Sequence, residues 1–213
     1  RGGVGRARGA GGLWGAGRQR VEEVLAFWLG ELGPEGWYAG GAAIDGQVRA
    51  RFAPLWQEAM AGACGPWLTE PRGALAYLIV TDQFPRNMFR DEARAFASDG
   101  QARAAAKLAV ARGWDMAVPE PERVFFYMPY EHSESLVDQD ESVALIGGRL
   151  PRTGAEYLVH AEAHRAVIRA FGRFPTRNAA LGRAGTPAEA AWLAAGGYGG
   201  VLRALEAGEV PTF

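Results

Sequence analysis

Apolar positions recur at three- and four-residue intervals through most of the chain, a spacing that places them on one face of an α-helix. Val21, Val24, Leu25, Trp28 and Leu29 follow this pattern, and a Gly/Pro-rich break, GELGPEGWYAGGA, comes after them. Asp45 suits the cap of a second helix with Val48, Phe52, Leu55 and Trp56 on one face. Pro54 predicts a kink or a shifted boundary there. A third helix is predicted from Pro71, a favoured first-turn residue, through Leu75, Leu78 and Ile79, with Pro85 as its stop. Ser98 or Asp99 suits the cap of a fourth, QARAAAKLAVARG, which closes on Gly113. A fifth is expected over Ser133 to Ile146, stopped by Gly147-Gly148, and a sixth over Thr153 to Phe171, ending at Gly172. The last opens on the capping-box pattern TPAE, with Thr186 as cap and Glu189 third. A short strand is conceivable in VFFYMPY, and alternating patterns are otherwise missing, so the predicted class is all-α.

Against this periodic background three polar clusters stand out. The first is DQFPRN, with Asp82, Gln83, Arg86 and Asn87 around a Phe-Pro step. The residue before proline is biased towards extended backbone, so Phe84 is expected to leave the helix and Arg86 and Asn87 to project from a stiff turn. The second is YMPYEHSESLVDQDE, in which Glu131, Glu134, Asp138, Asp140 and Glu141 crowd together with no basic residue among them. The third, HRAVIRAFGRFPTRN, repeats the first phrase and adds His164, Arg165 and Arg169 to Arg173, Arg177 and Asn178. An acidic concentration of this kind repels itself unless cations answer it, and the guanidinium fork binds carboxylates in bidentate fashion. Arg86, Arg173 and Arg177 are therefore expected to meet Glu131 and Glu134.

His132, flanked by Glu131 and Glu134, is the candidate general base, because a neighbouring carboxylate orients an imidazole and tunes its pKa. His160 and His164 stand four apart, a spacing compatible with two metal ligands, and Glu156 extends the same face. HAEAH lacks the glutamate of the zinc-protease signature, so no metal and no cofactor is expected. No G-x-S-x-G elbow, no GxxxxGK[ST] loop and no CxxC pair occurs.

Composition narrows the setting. The chain has 213 residues, enough for one ordinary domain, and a single cysteine, Cys64, which fits a reducing, cytoplasmic compartment. The longest apolar run, ALAYLIV, is far short of a membrane span. The net charge of −1 conceals an asymmetry, since residues 1–20 carry five Arg and no acid. The rest holds 18 basic residues against 24 acidic, which argues against nucleic-acid binding by the folded body. Residues 1–20 read as a disordered Arg/Gly-rich extension and residues 21–213 as a single helical domain.

VLAFWLGE, LIVTDQFPRNMFR, AFASD, FFYMPYEHSESLVDQDESVALI and HRAVIRAFGRFPTRNAALGR, followed by TPAEAAWLA, together resemble the bacterial family called domain of unknown function 924. The resemblance spans about Val21 to Ala194. It implies an all-helical fold of irregular hairpins, similar to tetratricopeptide-like arrays without their 34-residue consensus. The family's polar residues correspond to Asp82, Gln83, Arg86, Asn87, Glu131, His132, Ser133, Glu134, Gln139, His164, Arg173, Arg177, Asn178 and Arg183. One departure is Thr176, where the family pattern commonly has His, and His160 lies outside the pattern. The resemblance supplies no reaction. The expected function is a polar Arg/carboxylate/His pocket for a small polar or anionic ligand or a charged peptide end. The alternatives are a small hydrolase or lyase using His132, and a module in which the polar motifs only fasten helices.

Overall fold

The computed structural model describes residues 11–213, with side chains from residue 15. Among them the regular elements are all helical, as the sequence periodicity predicts. In chain order they are α1 (Gly11–Leu25), α2 (Gly33–Trp37), α3 (Ala42–Met60), α4 (Pro71–Leu78), α5 (Phe84–Met88), α6 (Asp99–Ala111), α7 (Met128–Glu131), α8 (Leu136–Arg149), α9 (Gly154–Phe171), α10 (Pro187–Ala194) and α11 (Gly197–Glu206). Two wider π-helical segments, Ala26–Leu32 and Ile79–Gln83, continue α1 and α4 without a break. The expected extension over residues 1–20 lies outside the described residues for positions 1–10, and from Gly11 the chain is helical.

Several boundaries follow the residues that predicted them. Gly172, at φ 68°, takes the left-handed conformation that ends α9, which glycine adopts without a Cβ clash. Thr186 Oγ1 accepts from the Glu189 N–H while Glu189 returns a bond to the Thr186 N–H, completing the capping box of α10.

Other boundaries differ. Pro54 lies inside an uninterrupted α3. α8 runs through Gly147 and Gly148, both exposed, to Arg149. VFFYMPY forms no strand: residues 122–126 make a 3-10 turn and α7 follows. Pro129 within that stretch lacks a backbone donor that a strand ladder would need.

The larger core is aromatic. Phe84 is fully buried, stacks on Phe52 of α3 at 4.5 Å, and meets Phe27 and Trp28 edge-on at 6.1 and 5.6 Å. A smaller cluster joins Ala163, Val167 and Ile168 of α9 to Phe174, Trp192 and Val201. Burying such rings is the main source of stability in both.

Candidate functional site

The site begins with the way α4 crosses Pro85. A proline inside a helix removes the bond to the carbonyl four residues earlier, here that of Thr81. The chain solves this by widening into the π turn Ile79–Gln83, where the Phe84 N–H reaches back five residues to Ile79 O. Ser98 Oγ donates to the stranded Thr81 carbonyl at 2.5 Å and itself accepts from Trp56 Nε1 at 3.0 Å. Phe84 consequently keeps helical backbone angles of −57° and −40° rather than the extended ones expected before proline. Asp82, Gln83, Arg86 and Asn87 thus belong to one continuous rod rather than to a loop.

That rod presents Asp82 to His132, the residue that caps α7. His132 Nδ1 lies 2.8 and 3.0 Å from the two Asp82 oxygens, and Asp82 is 1% exposed. An ionised carboxylate can only accept, so Nδ1 carries the proton and Nε2 keeps its lone pair. Burial pushes the Asp82 carboxyl up, but neighbouring His132 and Arg86 and the hydrogen bonds from His132 and Gln83 hold it below the usual range. Burial pushes the His132 imidazole down, the Arg86 charge pushes the same way, and the pull of Asp82 does not cancel them. His132 is therefore a neutral, oriented base at neutral pH.

A second carboxylate–imidazole pair stands beside the first. His164 Nδ1 is 2.9 Å from Glu131 Oε1 and 2.8 Å from the His160 carbonyl, which also fixes its proton on Nδ1. Burial raises the Glu131 carboxyl, and the His164 charge and hydrogen bond outweigh it, leaving the group low. The His132 and His164 rings are 6.1 Å apart, centroid to centroid. Tyr198 of α11 closes this corner, its hydroxyl 2.9 Å from His160 Nδ1 and 3.3 Å from His164 Nδ1. Glu156, Tyr157, His160 and His164 form one stripe of α9, as their spacing requires.

These groups face a cavity of 510 Å³, walled also by Trp37, Tyr38, Met128, Gln83, Arg86, Asn87 and Arg90. Its arginines are engaged already. Arg86 donates to both oxygens of Asp99 at 3.0 Å and to the Asp82 carbonyl at 2.6 Å. Arg90 grips Asp45 through Nε and Nη2 at about 3.0 Å, and Asn87 Nδ2 donates to the same carboxylate at 2.9 Å. Gln139 lies beneath, its amide holding the Glu131 and Ser133 carbonyls at 2.6 and 2.7 Å, so it shapes the α7–α8 corner without reaching the cavity wall.

The RFPTRN residues gather elsewhere. Glu189 accepts from Arg173 Nε and Nη2 at 2.6 and 2.8 Å and from Asn178 Nδ2 at 3.1 Å. Hydrogen bonds from Arg173 and from the Thr186 N–H hold its pKa down to about 2. Arg183 Nη1 and Nη2 meet Glu134 at 2.8 and 2.9 Å, and Glu134 also accepts the Phe174 N–H at 2.8 Å. Arg177 links the two zones. Its guanidinium lies between the Phe96 and Phe174 rings, donates to the His132 carbonyl at 2.9 Å, and touches Asp99 at 3.5 Å. Burial and the nearby Arg86 charge lower its pKa to about 10, so it stays protonated at neutral pH.

The expected pairings are thus redistributed. Glu131 answers His164 rather than an arginine, and Glu134 belongs to Arg183, so neither is the hydrogen-bond partner of His132 Nδ1. Asp82 holds that place because α7 ends at Glu131 and turns His132 towards α4, away from its sequence neighbours. Arg173, Asn178, Arg183 and Glu134 do not line the cavity, whereas Asp82 stands directly behind His132. Thr176 is exposed and lines a separate surface pocket rather than this cavity. Sequence reasoning missed Trp37, Tyr38, Tyr157 and Tyr198. The last carried a signal, a lone tyrosine inside GGYGG, and Tyr157 shares the helical stripe of His160 and His164.

Among the described residues no group of three or more His, Cys, Asp or Glu is arranged to hold a metal ion. Nor is any helix there long and apolar enough to cross a membrane.

The comparisons agree with the helical architecture. No curated protein matches the chain. A solved structure of a protein of unknown function, ATU0120 from Agrobacterium tumefaciens, is 38% identical, with a TM-score of 0.79 over 84% of this chain and 99% of that one. The family model described as bacterial protein of unknown function (DUF924) matches residues 24–197, which takes in both Phe-Pro turns, the EHSE segment and most of the cavity wall. The chain belongs to the DUF924 family.

Proposed function

We propose that the chain binds a small polar molecule in the cavity and carries out proton transfer on it, as a hydrolase or lyase with His132 as the general base. The observation that carries this reading is the His132 Nδ1–Asp82 contact at 2.8 Å, behind an imidazole that lines a cavity of substrate size. Asp82 fixes the tautomer and steadies the imidazolium that forms when Nε2 takes a proton. His164, oriented by Glu131, is a second base on the same cavity wall, its Nε2 free to accept a proton. Arg177, through the His132 carbonyl, positions the base without touching substrate. The carboxylate partners of Arg86 and Arg90 weigh against a site that holds a phosphate or a peptide carboxylate.

The Arg173, Asn178, Arg183, Glu134 and Glu189 cluster fits a different role, fastening α10 and the RFPTRN turn to α8. The lone buried Cys64 supports a cytoplasmic setting.

A broad hydrolase and lyase substrate screen on the wild type, His132→Ala and Asp82→Asn tests the proposal. Loss of the wild-type hit by about 10²–10⁴-fold in His132→Ala is the expected result. Equal rates in the wild type and His132→Ala would remove His132 from the mechanism.

A further inference from the structure

The cavity has three features that together select the charge of what it takes. First, its cations are spoken for. Arg86 and Arg90 each make a two-point contact with a carboxylate, Asp99 and Asp45, and those carboxylates are themselves largely buried. An incoming anion would compete with these carboxylates for the same two guanidinium groups. Second, the carboxylates exceed the guanidinium groups, since Asp82, Glu131 and Glu156 add to Asp45 and Asp99 around Arg86 and Arg90, with Arg177 also touching Asp99. Glu131 is 5% exposed, lines the cavity, and its Oε1 meets His164 Nδ1 at 2.9 Å. A carboxylate on a cavity wall favours a cationic donor as its partner. Third, the remaining wall is aromatic. Trp37 stands edge-on to Tyr38 at 6.4 Å, Tyr38 leans on Tyr157 at 6.4 Å, and Tyr198 lies against His160 and His164 at 6.3 and 4.8 Å. Aromatic faces attract cations through their quadrupoles and offer nothing comparable to an anion.

We infer that the cavity takes a ligand bearing an ammonium group, held by the Glu131 carboxylate and the Trp37, Tyr38, Tyr157 and Tyr198 rings. This deepens the reading of the cavity as the substrate site and rests on it: the substrate class is a small amine, with its reacting bond turned towards His132. Glu156, exposed at the cavity mouth, draws the cation in without being required for its capture.

The test compares four probes with the full chain at neutral pH: n-butylammonium, n-butanol, butyrate and inorganic phosphate. Chemical-shift changes at the Trp37 indole and the His132 and His164 rings report where each binds. The expected result is n-butylammonium bound at least about tenfold tighter than n-butanol, with butyrate and phosphate leaving those signals unmoved. Tyr157→Leu and Glu131→Gln should each weaken n-butylammonium about tenfold, and the tyrosine variant keeps the test decisive if the glutamine variant unfolds. Tighter binding of butyrate or phosphate at these signals, or no preference for n-butylammonium over n-butanol, overturns the inference. The acid–base reading fails differently: His132→Ala would still bind n-butylammonium and would keep the full rate on any substrate found for the wild type.

Discussion

Two stretches of this chain spell nearly the same phrase, DQFPRN and RFPTRN, and fold it in opposite ways. In the first, Phe84 stays helical and the rod runs on to Met88. In the second, Phe174 is extended at −90° and 104°, after Gly172 has already closed α9. The carbonyl four residues before each proline decides between them. Thr81 O receives Ser98 Oγ from a distant part of the chain, so the helix survives its missing donor. Phe171, the last residue of α9, needs no such repair, and the ordinary pre-proline bias takes over. The same local signal therefore yields a buried rod that sets Asp82 behind His132 and Arg86 on the cavity wall, or an extended turn that carries Arg173 and Asn178 into a clasp.

The sharpest way to separate the two turns is chemical. For whichever reaction the screen identifies, Asp82→Asn should lower kcat/KM about a hundredfold or more, because it loosens the tautomer and orientation of His132. Glu189→Gln, which removes the clasp's central anion, should leave kcat/KM within about twofold and lower only the melting temperature, since a residue outside the site makes no contact with the transition state. Comparable losses of rate in both variants would mean the clasp belongs to the active site.

Packing separates them next. Phe84→Ala removes a ring wedged among Phe27, Trp28 and Phe52 and should cost about 3–5 kcal/mol in denaturant unfolding. Phe174→Ala opens a hole at the edge of the smaller cluster, where neighbours can close in, and should cost less. Equal costs would show that the two turns are alike in load.

The repair of Pro85 can be isolated as well. Ser98→Ala leaves Thr81 O and Trp56 Nε1 without partners and should cost about 1–3 kcal/mol. In a Pro85→Ala background residue 85 regains an N–H that can reach Thr81 O, so the same substitution should cost measurably less. At the other turn Gly172→Ala forces a Cβ into the left-handed region and should cost about 1–2 kcal/mol. Additivity of Ser98→Ala with Pro85→Ala would refute the repair.

These differences also mark how far the sequence could be read. The helices were legible because their apolar stripes are local, and so were Gly172 and the Thr186–Glu189 box, whose chemistry lies within a few residues. The run through Pro85 was not, because its enabling group, Ser98, comes from outside the helix. His132 was legible as a base beside acids, but its partner was not. Glu131 and Glu134 are adjacent in sequence, while Asp82 comes from a rod fifty positions earlier. The aromatic wall was the least legible part, since Trp37, Tyr157 and Tyr198 come from three separate helices and nothing local to any one of them points to the other two.

The smallest expected effect, and the one that addresses both turns in one titration, is the pH dependence of stability. His132 has its pKa lowered in the fold, so below about 6.5 the unfolded chain takes up a proton that the folded chain resists. Its contribution is complete above that value and declines as the pH falls towards the lowered folded pKa. Glu189 works in a lower window. Its contribution is complete above the ordinary glutamate range, near 4.3, and is lost as the pH drops towards about 2. Urea midpoints measured from pH 7.5 to 3 should thus fall in two stages, the upper one abolished by His132→Gln and the lower one, to which Asp82, Glu131, Glu134 and Asp138 also contribute, diminished by Glu189→Gln. An upper stage that survives His132→Gln would mean that the imidazole is not the group resisting protonation, and the cavity would lose its claim to hold a neutral, oriented base.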